Sequence, residues 1–365
     1  MRATLLTPII SRTGLRQASH LRRLYATASA TPHGSDRAVK IIEVGPRDGL
    51  QNEKKPIPLD TKVELIRRLA STGLTNIEAG SFVSPKWVPQ MADSGRVLEE
   101  LLNGAAPSTD PMCFSFLVPN ERGLIDFHKV LSQNPGKYAT ESSPADNDAI
   151  PEIEVAIFAA ASEAFSLKNL NMDIESSLEK FRNVITDAKG AGHRVRAYIS
   201  VVLGCPYTGY DVKPTRVAEI ARDLLEMGAD EISLGDTTGM GTVPRTKELL
   251  KAMTAAGIRN EDIAMHFHDT YNQAMVNTVV ALDHGIRKFD SSVGGLGGCP
   301  YSPGATGNVA TENMLYFMDS VGMSTGVDLD AVAKIGGWIS QELGKPNDST
   351  VGRALLAAQG RKQAL

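Results

Sequence analysis

From residue 39 onward the chain alternates short β-rich runs with longer stretches of helical periodicity. Eight such runs can be counted, at residues 39–44, 76–80, 112–118, 153–159, 195–202, 231–234, 263–267 and 288–292. Parallel neighbours in a sheet need a crossover long enough to hold a helix, so this alternation is the pattern of βα units. Helical patterns lie between the runs at residues 60–71, 174–191, 214–227 and 272–284, the third opening on Pro214 at an allowed first-turn position. Eight units closed on themselves make an α/β TIM barrel, the expected fold, although a doubly wound open sheet produces a similar string. A further helical stretch at 329–343 precedes a tail without clear periodicity, so the barrel is expected over residues 38–326 and a short C-terminal helical extension over 327–365.

Composition narrows the partners. With 42% hydrophobic and 22% charged residues and a formal net charge of −4, the chain has no electrostatic reason to bind nucleic acid or an anionic membrane, and a small-molecule substrate fits better. No run reaches the roughly 18 apolar residues of a membrane span. Cys113, Cys205 and Cys299 are too few and too scattered for a disulfide framework and suit a reducing compartment. The first 35 residues hold Arg2, Arg12, Arg16, Arg22 and Arg23 with no acid before Asp36, the composition of a mitochondrial transit peptide. Removal of residues 1–25, cutting after Tyr25, and residence in the mitochondrial matrix are expected. Residues 135–151, polar and rich in Ser, Asp and Pro, read as a surface loop before the fourth strand without assigned chemistry.

In a TIM barrel the informative polar residues are those where strands end and loops begin. His266 and His268 are two apart on the seventh run and therefore face the same side, bringing two imidazoles together. Asp48 after the first strand and Asn308 in the loop after the eighth complete a mixed N/O set for a divalent ion, against the alternative of a chance or merely hydrogen-bonded histidine pair. Arg47 beside Asp48 would stabilise a developing enolate oxygen if the turn at Gly49 lets both reach the barrel mouth; otherwise the two form a capping salt bridge. Glu78 and Asp236 are inner carboxylate candidates, as proton-transfer groups or as partners orienting Arg47 and the histidines. The run from Gly294 to Asn308 is so glycine-rich that it is expected to form a flexible lid carrying Cys299 inward, where a thiol can donate a proton to an enolate. Cys113 reads as core packing, and the role of Cys205 is open.

Taken together, the runs at residues 44–53, 81–91, 233–237, 266–271 and 297–301 through Asn308 resemble the hydroxymethylglutaryl-CoA lyase family, over nearly all of residues 39–326. The His-x-His and Asp-Thr segments are shared with the wider group of acyl-CoA Claisen-type synthases and lyases. The Phe82-to-Gln90 run and the Gly-Gly-Cys-Pro-Tyr loop are far more specific to the lyase. The resemblance implies that Asp48, His266, His268 and Asn308 bind Mg²⁺ or Mn²⁺, that Arg47 contacts the substrate carbonyl and that Cys299 is catalytic. Gln51, Ser81 and Ser233, in the same segments, are expected to bind substrate. It further implies cleavage of an acyl-CoA, (S)-3-hydroxy-3-methylglutaryl-CoA, to acetyl-CoA and acetoacetate by a homodimer. The alternatives are a related lyase or synthase on another acyl-CoA, or a silent metal- or CoA-binding scaffold. The sequence departs from the family at the 135–151 insertion, at Ala79 and Gly80, where Thr is expected, and in a tail without cysteine that ends neither in a thiol motif nor in Ser-Lys-Leu.

Overall fold

Eight strands close edge to edge in chain order, each parallel to its neighbours, with β1 pairing β8 to complete the barrel. The computed structural model describes residues 37–108, 110–140, 150–298 and 307–363; the proposed leader and Cys299 lie outside them. The strands are β1 (Lys40–Glu43), β2 (Asn76–Ser81), β3 (Cys113–Leu117), β4 (Glu152–Ala160), β5 (Val195–Ser200), β6 (Glu231–Asp236), β7 (Ile263–Phe267) and β8 (Lys288–Ser291). The doubly wound alternative is thereby excluded, because an open sheet has two unpaired edges and this one has none. Among the described residues no helix is long and apolar enough to cross a membrane.

The crossover helices are α1 (Leu59–Ala70), α2 (Ser94–Leu102), α3 (Glu121–Ser132), α4 (Glu163–Leu170), α5 (Ile174–Gly190), α6 (Pro214–Met227), α7 (Val243–Ala255), α8 (Ala274–His284) and α9 (Thr311–Ser320). They begin where chemistry allows: Asn120, Ser162 and Asp173 accept backbone N–H groups at the starts of α3, α4 and α5. Pro214 occupies the first turn of α6, and Gly228 closes that helix in the left-handed region. The large apolar core lies between the outward faces of the strands and these helices, with Leu65, Leu69, Ile77, Phe114, Phe127 and Leu224 buried in it. Inside the barrel the filling is different. Among the described residues Leu117, Ala156 and Tyr198, with Phe158 against them, form a small apolar group apart from that core, and charged side chains occupy much of the interior.

The C-terminal extension is helical, as expected, and includes the stretch that shows no clear periodicity: after α10 (Leu329–Leu343), residues Thr350–Gln363 form α11, packed on α10. Its two internal glycines mask the pattern, but Asn313 Oδ1 ties its start by accepting from Ser349 Oγ, Thr350 Oγ1 and Val351 N. The lid expected from Gly294 to Asn308 falls mostly on residues 299–306, outside those described, but glycines that lead into it take backbone conformations that favour glycine. Gly294 has φ +65° and lies against Gly336 of α10, and Gly297 has φ +124° with no room for a Cβ beside Asn308. In the polar segment before β4, Ala139 N donates to Pro151 O at 2.8 Å, while residues 141–149 lie outside those described.

Buried acids hold this glycine turn. Glu312 of α9 accepts from Gly294 N, and Glu43 at the end of β1 accepts from Gly45 N, Val293 N and Thr311 Oγ1. Burial is the main influence on both, raising Glu312 to about 8 and Glu43 to about 7. Between the unfolded and folded pKa values the unfolded chain binds fewer protons than the fold, so each acid makes stability fall as pH rises from about 4.5, levelling off above about 7 for Glu43 and above about 8 for Glu312. Glu312→Gln does not titrate and is expected to flatten that decline. Unfolding midpoints of the two proteins between about pH 5 and about pH 9 are then expected to diverge in favour of the variant as pH rises; parallel curves would show that Glu312 is not the titrating group.

Candidate active site

β1 ends at Glu43, and the chain then makes one wide helical turn, Gly45–Gly49, in which the N–H groups of Arg47, Asp48 and Gly49 all converge on Val44 O. In a continuing strand Arg47 and Asp48 would point to opposite faces. The turn instead brings them to one side, with Arg47 Nη1 2.7 Å from Asp48 Oδ1. His266 lies on β7, and His268 follows its end, where it bridges to Asn308. The two imidazole rings are 5.2 Å apart. Asp48, His266 and His268 each offer a ligand atom, all within 4.8 Å of one another.

Asn308 completes the cluster, donating from Nδ2 to Asp48 Oδ2 at 2.8 Å. Four buried polar atoms around this wall have no hydrogen-bond partner among the described residues: Asn308 Oδ1, His268 Nδ1, Arg47 Nε and Glu78 Oε1. Unmade bonds in a buried site are costly, so such a concentration marks a place built for something further. Two carboxamide or imidazole acceptors beside a carboxylate suit a divalent ion with mixed N/O ligation. The protonation states agree. Burial opposes ionisation of Asp48, but Arg47 and the two histidines outweigh it and hold the carboxyl at about 2. Burial and then His266 push His268 down to about 3, which leaves it neutral with a lone pair to give.

Arg47 is fixed from its other end by Glu78, whose Oε2 lies 2.6 Å from Nη2. Glu78 also accepts from the Tyr198 hydroxyl at 3.0 Å, and burial raises its pKa. Asp236 has both oxygens directed at Gly241 N, and burial raises it to about 7. Gln51 donates to Asp48 Oδ1 at 2.6 Å. Ser233 donates to Asp290 inside the barrel.

The cavity beside this cluster has a volume of about 690 Å³. Its wall includes Arg47, Asp48, Gln51, Ser81, His266 and His268, but Glu78, Ser233 and Asp236 do not reach it. Gly298 borders it, and Cys299 is the next residue in the chain. Cys113 is core, while Cys205 is buried and its sulfur accepts from Ser162 Oγ at 3.0 Å.

Sequence reasoning missed Arg196, Tyr198 and Asp290, which support these groups from within the barrel. Register explains their meeting: Asp290 on β8 is the cross-strand partner of His266, and Glu231 on β6 that of Arg196. Asp290 Oδ2 lies 3.1 Å from His266 Nδ1. The available signal was a charged residue at an inward position of an otherwise apolar run, as in Val-Arg-Ala-Tyr-Ile. It also missed Lys168 and Lys180, which line the cavity with Trp87 and Phe165.

A family model described as HMGL-like matches residues 38–339. The chain is 50% identical over 326 residues to the hydroxymethylglutaryl-CoA lyase of Pseudomonas mevalonii, covering 89% of this chain and 99% of that protein. It is 43% identical over 339 residues to the mitochondrial hydroxymethylglutaryl-CoA lyase of Bos taurus, covering 93% and 96%. The crystal structure of hydroxymethylglutaryl-CoA lyase from Pseudomonas aeruginosa superposes with a TM-score of 0.78 at 46% identity, over 88% of this chain and 98% of that one.

His268→Ala removes a candidate ligand nitrogen without touching the Asp290–His266 contact. Mn²⁺ affinity, read by titration of the free-ion EPR signal, is expected to fall by more than the roughly 10–100-fold typical of an outer-sphere change. Unchanged affinity in a protein with native circular dichroism would remove His268 from the ligand set.

Proposed function

The chain belongs to the HMGL-like family, and we propose that it is a divalent-metal-dependent carbon–carbon lyase that cleaves (S)-3-hydroxy-3-methylglutaryl-CoA to acetyl-CoA and acetoacetate. The observation that carries this reading is the convergence of Arg47 with Asp48, His266 and His268 on the wall of a cavity, with Asn308 behind them on Asp48 and buried acceptors left unpaired. A bound Mg²⁺ or Mn²⁺ would supply Lewis-acid polarisation of substrate oxygens, with Asp48, His266, His268 and Asn308 holding it.

The chain's own residues do the rest. Loss of the proton from the substrate's tertiary hydroxyl lets the bond between the carbinol carbon and the thioester's α-carbon break. The hydroxyl carbon becomes the ketone of acetoacetate, and the electron pair goes to the acetyl-CoA enolate. Arg47, held by Glu78 and Asp48, presents its guanidinium to the oxygen on which that charge accumulates. Cys299 delivers a proton to the enolate carbon; the hydroxyl proton passes to solvent and the Cys299 thiolate takes one back from solvent, so the thiol is restored and protons balance over the cycle. Glu78 acts through Arg47, and Asp236 through the Gly241 loop that it anchors. Gln51 and Ser81 bind the acyl portion from the cavity wall, and Ser233 serves it through Asp290. Lys168 and Lys180 face the polyanionic CoA tail, beside the exposed ring of Trp87. In the cell, residues 1–25 direct the chain to the mitochondrial matrix and are removed. The remainder, a barrel over 38–326 with its extension over 327–365, works as a homodimer.

Incubation of the protein lacking residues 1–25 with the substrate and Mg²⁺ or Mn²⁺ is expected to give acetoacetate and acetyl-CoA in equal amounts and to stop with chelator. Folded, Mn²⁺-binding protein that releases neither product would end the reading. Cys299→Ser is expected to retain Mn²⁺ binding and lose turnover by about 10²–10⁴-fold, the usual worth of a positioned acid. Normal turnover would take the proton transfer away from Cys299.

A further inference from the structure

Arg196 is the point where the metal-binding and arginine halves of this site meet. Its side chain is 1% exposed, it does not line the cavity, and it touches neither the cluster nor any group assigned to substrate. Its guanidinium spends its donors in three directions: Nε to Glu231 at 2.8 Å, Nη2 to Asp290 at 2.5 Å and Nη1 to the Tyr198 hydroxyl at 2.8 Å. Through Asp290 it reaches His266 Nδ1, 3.1 Å from Oδ2. A ring hydrogen held there leaves the Nε2 lone pair facing the cluster, where Asp48 Oδ2 is 4.0 Å away. Through Tyr198 it reaches Glu78 at 3.0 Å and so Arg47 at 2.6 Å.

We propose that Arg196 is a positioning residue that sets both halves at once, fixing the tautomer and orientation of His266 by way of Asp290 and the orientation of Arg47 by way of Tyr198 and Glu78. Only a planar fork of five donors can serve three partners at fixed angles. A lysine keeps the charge but satisfies one of them well. The inference deepens the proposed metal-lyase reading and rests on it for its kinetic arm; its metal-binding arm needs only Mn²⁺.

The test compares Arg196→Lys, Asp290→Asn and Tyr198→Phe with the unsubstituted protein, using Mn²⁺ EPR titration and, at saturating Mn²⁺, kcat and KM. Arg196→Lys is expected to weaken Mn²⁺ binding by about 10–100-fold and also to lower kcat once metal is saturating. Asp290→Asn is expected to reproduce the first effect and Tyr198→Phe the second, with Mn²⁺ affinity of the latter within about twofold of the unsubstituted protein. Combining Arg196→Lys with Asp290→Asn is expected to cost no more Mn²⁺ affinity than either alone, because both cut the same arm. A cooperatively folded Arg196→Lys protein with unsubstituted Mn²⁺ affinity overturns the proposal. If that variant does not fold, Asp290→Asn decides it, and unchanged Mn²⁺ affinity there overturns it equally. Protein that binds Mn²⁺ but makes no acetoacetate would fail the functional reading alone, leaving Arg196 to be judged on the EPR titrations.

Discussion

The contact between Arg196 and Asp290, 2.5 Å long in the middle of the barrel, is the one on which the functional end depends. Neither charge can stand alone there. Removing one member of a buried pair costs roughly 3–5 kcal/mol because the other is left unsolvated. Such a pair adds little net stability over apolar packing, so its presence in a barrel interior, usually filled by Val, Ile and Leu, needs another reason. Here the reason is geometric. Asp290 needs Arg196 to remain an anion where it can accept from His266, and Arg196 needs Glu231, itself held by Lys288, to occupy the barrel axis at all. The chain of contacts runs from the lower strands to the mouth, and each member holds the next in one orientation.

A second set of buried acids fixes the loop that leads to Cys299. Glu43 and Glu312 accept the backbone N–H groups of Val293 and Gly294, and Asp348 N donates to Gly294 O from beyond α10. The C-terminal extension is therefore part of the site's architecture. It packs on the turn from which the glycine-rich segment departs, and Gly336 lets α10 come close enough that a side chain there would overlap Glu312. Lys345, also past α10, pairs with Glu53 at 2.5 Å, two residues beyond Gln51 on the cavity wall.

Much of this was legible in the chain. Period-two patterning put His266 and His268 on one side of a strand, and the βα rhythm placed Asp48 and Asn308 at the same end of the barrel. A turn at Gly49 that brings Arg47 and Asp48 to the mouth together was one of two readings of the sequence, but its wide form was not visible, because it depends on three N–H groups sharing Val44 O. Arg196, Tyr198 and Asp290 escaped notice because a strand's pattern says which residues share a face, whereas their role comes from register between β5, β6, β7 and β8. The glycines after β8 carry a meaning that composition alone did not show. Gly294 and Gly297 have positive φ, and a Cβ at Gly297 would press on Asn308. In α11 the helix comes from docking on α10 and from the Asn313 ties, which no local periodicity encodes.

Charge balance gives the interior its direction. Arg47 pairs with Asp48 and Glu78, Arg196 with Glu231 and Asp290, and Lys288 with Glu231, and the Tyr198 hydroxyl joins the two sets into one network of four acids against three permanent cations. The deficit is not spread evenly. Glu231 and Asp290 each hold a cation at ion-pair distance, and Glu78 and Asp48 share Arg47. The unshared part of the negative charge therefore falls at the cavity end, where His268 is held neutral and Asn308 Oδ1 is without a partner. A divalent cation placed among these ligands would be attracted by that excess and would satisfy acceptors that the protein leaves open, whereas a bound anion would meet the same field with the opposite sign. An anionic substrate of the proposed kind would have to be met by other groups of the cavity wall, which also carries Lys168 and Lys180.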